Sequence, residues 1–124
     1  MSKQQTIAKE ISLNGVTIHT GKEAKIILKP LPPDSGIIFK RIDLPSSPNL
    51  KLTPELNFET KRGTNIKLGD IEIKTVEHLL SAVQGMGLDN LLIEVDGPEI
   101  PIGDGSPKNS TYELRFQKNL SHHT

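Results

Sequence analysis

The feature that most constrains this chain is a change of hydrophobic period near residue 75. Up to Lys74 the apolar residues fall in short stretches bounded by Gly, Pro, Asn and Asp, several of them alternating, as strands require. From Val76 the spacing becomes i, i+3, i+4, i+7 and i+10 through Leu79, Leu80, Val83 and Met86. That is one face of an α-helix. Thr75 is suited to cap its start and Gly87 its end. Asn90 to Val95 then reads as a strand buried on both faces, closed by Gly97-Pro98.

Before the helix, Ile7–Leu13 and Val16–His19 read as strands around Asn14-Gly15. Asn-Gly favours the positive-φ turn that matches strand twist, so a β-hairpin is expected there. Ala24–Leu28 and Gly36–Asp43 are further strands, separated by a turn rich in Pro, Asp and Gly. Thr53-Pro54-Glu55 suits a short helix start. Thr60–Thr64 reads as a polar connection. Asn65–Leu68 and Ile71–Lys74 flank Gly69-Asp70 as a second hairpin. Prolines 98 and 101 keep Ile100-Pro101-Ile102 extended. Asp104-Gly105-Ser106 is a turn. Tyr112, Leu114 and Phe116 alternate as in a strand, and His122 and His123 read as a disordered tail.

Composition narrows the function. With 34% hydrophobic and 3% aromatic residues, the core is built from Ile, Leu and Val. Fifteen basic and fifteen acidic side chains cancel, which argues against a nucleic-acid partner. The chain has no cysteine, so neither disulfides nor thiolate metal ligands are available. No stretch approaches the apolar length of a membrane span, and Met1–Glu10 has no signal-peptide apolar run. These features lead to the expectation of a cytoplasmic protein.

The sharpest local motif is Thr75-Val76-Glu77-His78-Leu79-Leu80. At about 100° per residue, Glu77 and His78 point away from the apolar stripe, toward the side carrying Ser81, Gln84 and Gly85. Small residues there leave room for a second body. A neutral imidazole can ligate a metal, and a carboxylate beside a metal-bound water is a general base. Taken alone, the pair reads better as a solvated first turn, and it lacks the His-Glu-x-x-His spacing of metalloproteases, since position 82 is Ala. His19 after its strand and Asp104 in its turn are in isolation ordinary surface residues. Lys61-Arg62-Gly63 does not match a phosphate-binding P-loop.

Taken in order, several segments resemble one family. They are Gly15-Val16-Thr17-Ile18-His19-Thr20-Gly21, Arg62-Gly63-Thr64, Thr75–Leu80, Asp89 through Ile102, and Asp104-Gly105-Ser106. The family is UDP-3-O-acyl-N-acetylglucosamine deacetylase, which acts in lipid A synthesis, and the resemblance covers roughly Lys3 to Ser106. It implies an α+β fold, a two-layer sandwich of β-sheet and helix, forming one domain of a two-domain enzyme whose site lies between the domains. It implies one Zn²⁺ held by His78, with Glu77 as the general base that activates the attacking water. His19, Arg62, Gly63, Thr64 and Asp104 match positions at or near the substrate, UDP-3-O-acyl-N-acetylglucosamine.

The family's other zinc ligands, in a His-Lys-x-x-Asp segment of its second domain, do not occur in this sequence, and Pro107–Leu114 lacks the helical stripe that follows the Asp-Gly-Ser turn. The expectation is therefore a deacetylase domain over 1–106 with a divergent tail at 107–124, a truncated or frame-shifted first half that is inactive alone. An uncovered sheet face would then invite self-association. The alternatives are a non-catalytic α+β binding module and the remnant of a broken gene.

Overall fold

The computed structural model describes residues 4–17, 20–52, 57–60, 63–68, 70–101, 116 and 119–122; for 57–60, 63, 64, 68 and 122 it describes the backbone alone. The described strands are β1 (Gln5–Ile7), β2 (Ile11–Val16), β3 (Glu23–Pro30), β4 (Ile37–Arg41), β5 (Leu50–Lys51), β6 (Asn57–Thr60), β7 (Gly63–Leu68), β8 (Ile71–Ile73), β9 (Leu91–Val95) and β10 (Leu120–His122). One helix, α1 (Glu77–Gly85), lies between β8 and β9. The arrangement is α+β.

Five strands form a mixed sheet in the order β2-β3-β9-β4-β5. β9 enters its centre, antiparallel to β3 and parallel to β4. The strand registers place Ile11, Leu28, Ile93, Phe39 and Leu50 side by side in one row across all five strands. Each is at most 2% exposed. Facing residues of like hydrophobicity on one side of a sheet are what fixes register, because a slip of one residue would turn the whole row to water. β6-β7-β8 form a second sheet, and β1 pairs with β10. Ile66 and Ile73 from the second sheet, Val76, Leu79, Ala82 and Val83 from the helix region, and Phe116 join the same buried cluster.

Several expectations hold. The hairpin around residues 69–70 is present, with Leu68 opposite Ile71. The helix occupies its expected span, buries Leu79, Ala82 and Val83, and exposes Ser81, Gln84 and Gly85. It ends as its sequence suggests. Gly87 has φ +68, its N–H donates to Gln84 O at 3.1 Å, and Leu88 N–H donates to Val83 O at 2.9 Å. That pair of bonds satisfies carbonyls the helix would otherwise leave open.

Others are corrected. Asn14-Gly15 is not a turn. Both residues lie within β2, opposite Lys25 and Ala24. The connection falls later, where Thr17 N–H donates to Lys22 O at 2.9 Å and Gly21 takes φ +68. Alternating burial continues unbroken from Ile11 to Val16, and that pattern overrides the local preference of Asn-Gly. The strand expected over Ile7–Leu13 is divided by a bend at Ala8–Lys9, so β1 leaves to pair with β10.

The connection expected over Thr60–Thr64 is shorter: Thr60 ends β6, Gly63 begins β7, and the two residues pair. β9 is buried on one face only. Leu91, Ile93 and Val95 are inside, whereas Leu92 and Glu94 are half-exposed and Glu94 pairs with Lys29 at 3.0 Å. Phe116 has helical rather than extended backbone and is fully buried, and His122 belongs to β10 rather than to a disordered tail. Among the described residues the exposed large apolar side chains are Val16 (47%) and Ile42 (39%), so no broad uncovered apolar face is present there. The short helix expected at 53–55, the turn at 104–106 and the boundary at 106 lie outside the described residues.

Candidate functional site at the start of the helix

The helix carrying the Glu-His motif does not start as the sequence suggests. Thr75 does not cap it. The residue at the cap position is Val76, with φ −86 and ψ −9 and no side-chain cap bond. Thr75 itself has φ +62, an unusual backbone for a β-branched residue. Its hydroxyl donates instead to Glu99 Oε2 at 3.3 Å, and its N–H donates to Asn65 Oδ1 at 3.1 Å. The first turn therefore emerges from a joint held on two sides by side chains of other segments.

From that joint Glu77 is half-buried and His78 exposed. His78 lies on the same open side as Ser81, Gln84 and Gly85. An exposed imidazole on a helix is able to bind a metal or a substrate. Among the described residues no group of three His, Asp, Glu or Cys side chains is gathered so as to hold a metal ion.

The remaining sequence candidates are distributed as follows. His19, Arg62 and Asp104 lie outside the described residues, and Gly63 and Thr64 are described in backbone only, at the start of β7. Two of their sequence neighbours do reach the helix start. Asn65 follows Thr64 and holds Thr75. Thr20 follows His19, and its N–H donates to Glu99 Oε1 at 3.2 Å. Glu99 thus connects the 17–22 turn with the helix start, while Lys74 N–H to Pro98 O at 2.8 Å and Ile100 N–H to Lys74 O at 3.0 Å bracket it. Glu99 is 1% exposed. Sequence reasoning missed Asn65 and Glu99 as parts of the site, and gave Thr75 the role of a helix cap that it does not play. The signal for Glu99 was a carboxylate set among Pro98, Ile100 and Pro101, where a burial pattern leaves little room for a solvated charge.

A nearby cavity of about 170 Å³ is lined by Thr17, Thr20, Lys22, Asp96, Pro98 and Glu99, among others. The Thr17 and Thr20 hydroxyls hydrogen-bond to each other at its edge. It adjoins the same turn.

Comparison with known proteins decides the family. The family model for UDP-3-O-acyl N-acetylglycosamine deacetylase, LpxC, matches residues 4–121. The chain belongs to this family. A deacetylase of that name from Anaeromyxobacter sp. is 48% identical over 103 residues, which is 83% of this chain and 33% of that protein. One from Thioalkalivibrio sulfidiphilus is 42% identical over 106 residues, 86% of this chain and 35% of that protein. A bifunctional LpxC/FabZ enzyme from Porphyromonas gingivalis is 40% identical over 115 residues, 93% of this chain and 25% of that protein. The chain spans about a third of the length of the first two relatives. The LpxC match passes through the Glu-His helix, and it includes β10 up to Ser121. Among the described residues no helix is long and apolar enough to cross a membrane.

Proposed function

We propose that this chain contributes the Glu77–His78 part of a zinc-dependent deacetylase site that removes the N-acetyl group of UDP-3-O-acyl-N-acetylglucosamine in lipid A synthesis. The observation that carries the reading is the position of His78, exposed at the start of α1 beside a half-buried Glu77, within an LpxC chain. The cysteine-free composition accords with a cytoplasmic setting. The sheet and helix then form one layered domain, and a second domain approaches the open side of α1 over Ser81, Gln84 and Gly85.

His78 fits one arm of a zinc site through its imidazole. A catalytic zinc takes three protein ligands, so the other donors come from outside the described residues, in this reading from the second domain. When bound, the metal supplies Lewis-acid polarisation of the acetamide carbonyl and lowers the pKa of water. Glu77 accepts the proton of the water that attacks the carbonyl carbon. The carbon–nitrogen bond then breaks, the amine takes up a proton from a further acid, and acetate leaves. The family motifs assign substrate binding to Gly63 and Thr64 and to His19, Arg62 and Asp104.

The test is acetate release and zinc content for three samples: the chain alone, the remaining two-thirds of a complete relative alone, and the mixture. Release in the mixture only, lost in His78→Ala together with zinc, is the expected result. A folded chain that gives no release and no zinc uptake in the mixture contradicts the proposal, and favours a non-catalytic module or a remnant.

A further inference from the structure

Glu99 is a buried carboxylate to which the proposed chemistry assigns no role. Its 1% exposure requires that its oxygens be met by hydrogen-bond partners, since a buried polar group without one is unfavourable. Two of those partners come from segments far apart in sequence: Thr20 N–H at 3.2 Å on Oε1 and the Thr75 hydroxyl at 3.3 Å on Oε2. The backbone around Glu99 is itself fixed to Lys74, through bonds of 2.8 and 3.0 Å on either side. A carboxylate that is fully buried on a fixed backbone has little freedom to follow its partners. It therefore dictates where they sit.

We propose that Glu99 is a positioning residue that sets the direction of Glu77 and His78 by holding Thr75. This rests on the reading of Glu77 and His78 as the site. The lever is the unusual backbone of Thr75. A β-branched residue at φ +62 persists only where its surroundings over-determine it. Here the N–H is held by Asn65 and the hydroxyl by Glu99. Glu77 is two residues on and His78 three, so a change in the Thr75 dihedrals re-aims both. The same commitment explains why the Thr75 hydroxyl does not cap the helix. The Oε1 bond to Thr20 ties the turn next to His19 to the same carboxylate, so both edges of the site share one reference point.

Four variants of the chain separate positioning from simple support. Thr75→Val keeps the branched shape and removes the donor, whereas Thr75→Ser keeps the donor. Glu99→Met removes both acceptors. In Glu99→Gln the amide oxygen still accepts from Thr20, and the amide NH₂ donates to the Thr75 oxygen. The readouts are the amide and imidazole resonances of Glu77 and His78, the hydrogen exchange of the Thr20 amide, and the urea midpoint.

The Val and Met variants are expected to move the Glu77 and His78 resonances. The Met variant is expected to speed Thr20 exchange about tenfold or more, because a local bond is lost while the core stays closed. The Ser and Gln variants are expected to leave the resonances near those of the parent. In the reassembled enzyme, Thr75→Val lowers kcat by roughly tenfold or more with little change in KM, the signature of misplaced rather than missing groups.

A lower urea midpoint with unmoved Glu77 and His78 resonances overturns the proposal, since Glu99 then only supports the fold. If Glu99→Met does not fold, Thr75→Val against Thr75→Ser decides alone. If the resonances move as expected but the unaltered chain releases no acetate in the mixture, the positioning role stands and the catalytic reading falls.

Discussion

The five-strand row and the helix start are held together by opposite means. Ile11, Leu28, Ile93, Phe39 and Leu50 touch through apolar surface, which is non-directional and responds to volume. The start of α1 is held by a few directional bonds from Asn65 and Glu99 to one unusually folded threonine. The contrast separates two kinds of requirement in one small chain. The row makes the fold stable, and the joint determines where two side chains point. Damage to the row should appear as lost stability with the site geometry unchanged until the chain unfolds. Damage to the joint should appear at the site with most of the stability retained.

The largest effect should come from the row. Phe39 is fully buried at its centre. Phe39→Ala is expected to cost about 3–5 kcal/mol through lost burial and a residual cavity. Urea unfolding measures it. A loss below about 1 kcal/mol would mean that the row is not the stabilising centre. The joint comes next. Thr75→Val leaves one oxygen of buried Glu99 without its hydroxyl donor, at an expected cost of about 1–3 kcal/mol, and Thr75→Ser should restore most of it. If the two variants are equally unstable, lost packing rather than the bond explains the change, and the comparison breaks.

A third change tests the far end of the helix, where position should matter less. Gly87 has φ +68, and a Cβ there would meet Gln5 Nε2 at 2.8 Å. Gly87→Ala is expected to cost about 1–2 kcal/mol from the left-handed backbone. It should leave the His78 resonances in place, and a shift there would show that the helix transmits strain along its length.

The smallest effect lies on the exposed face of the sheet. Lys29 has its pKa raised above the ordinary 10.5, first by its hydrogen bond to Glu94 and then by the charge of Glu94, with desolvation opposing and the charge of Glu10 adding least. A raised lysine value means that the stabilising contribution is complete below pH 10.5 and is lost as pH rises through the folded value. Comparing the alkaline limb of stability for the parent and Lys29→Met should show a slightly steeper decline in the parent. Parallel limbs would remove this pair from the account.

Periodicity made much of the row legible. Leu28 and Ile93 lie in apolar stretches that read as strands, although Asn90–Val95 read as buried on both faces and is buried on one. The helix was legible for the same reason, down to the glycine that ends it. What escaped was set by partners distant in sequence. Asn14-Gly15 reads as a turn until β3 is seen to pair straight through it. Thr75 reads as a cap until Glu99, twenty-four residues on, is seen to take its hydroxyl. β1 was hidden because its partner is β10, at the other end of the chain. Phe116 gave an alternating pattern with Tyr112 and Leu114, which spans too few residues to separate a strand from a helix. At the candidate site the Glu77–His78 pair was legible as a motif, and the joint that aims it was not.

The most direct measurement is the rate of acetate release by the chain reassembled with the rest of a complete relative, for Glu77→Gln set against Ile93→Val. The account predicts a loss of about 10²-fold or more for Glu77→Gln, as expected for a missing general base, in a chain that stays folded. For Ile93→Val it predicts a lower midpoint with a nearly unchanged rate. A Glu77→Gln chain that assembles and releases acetate at the parent rate would contradict the central claim that the start of this helix is half of a catalytic site.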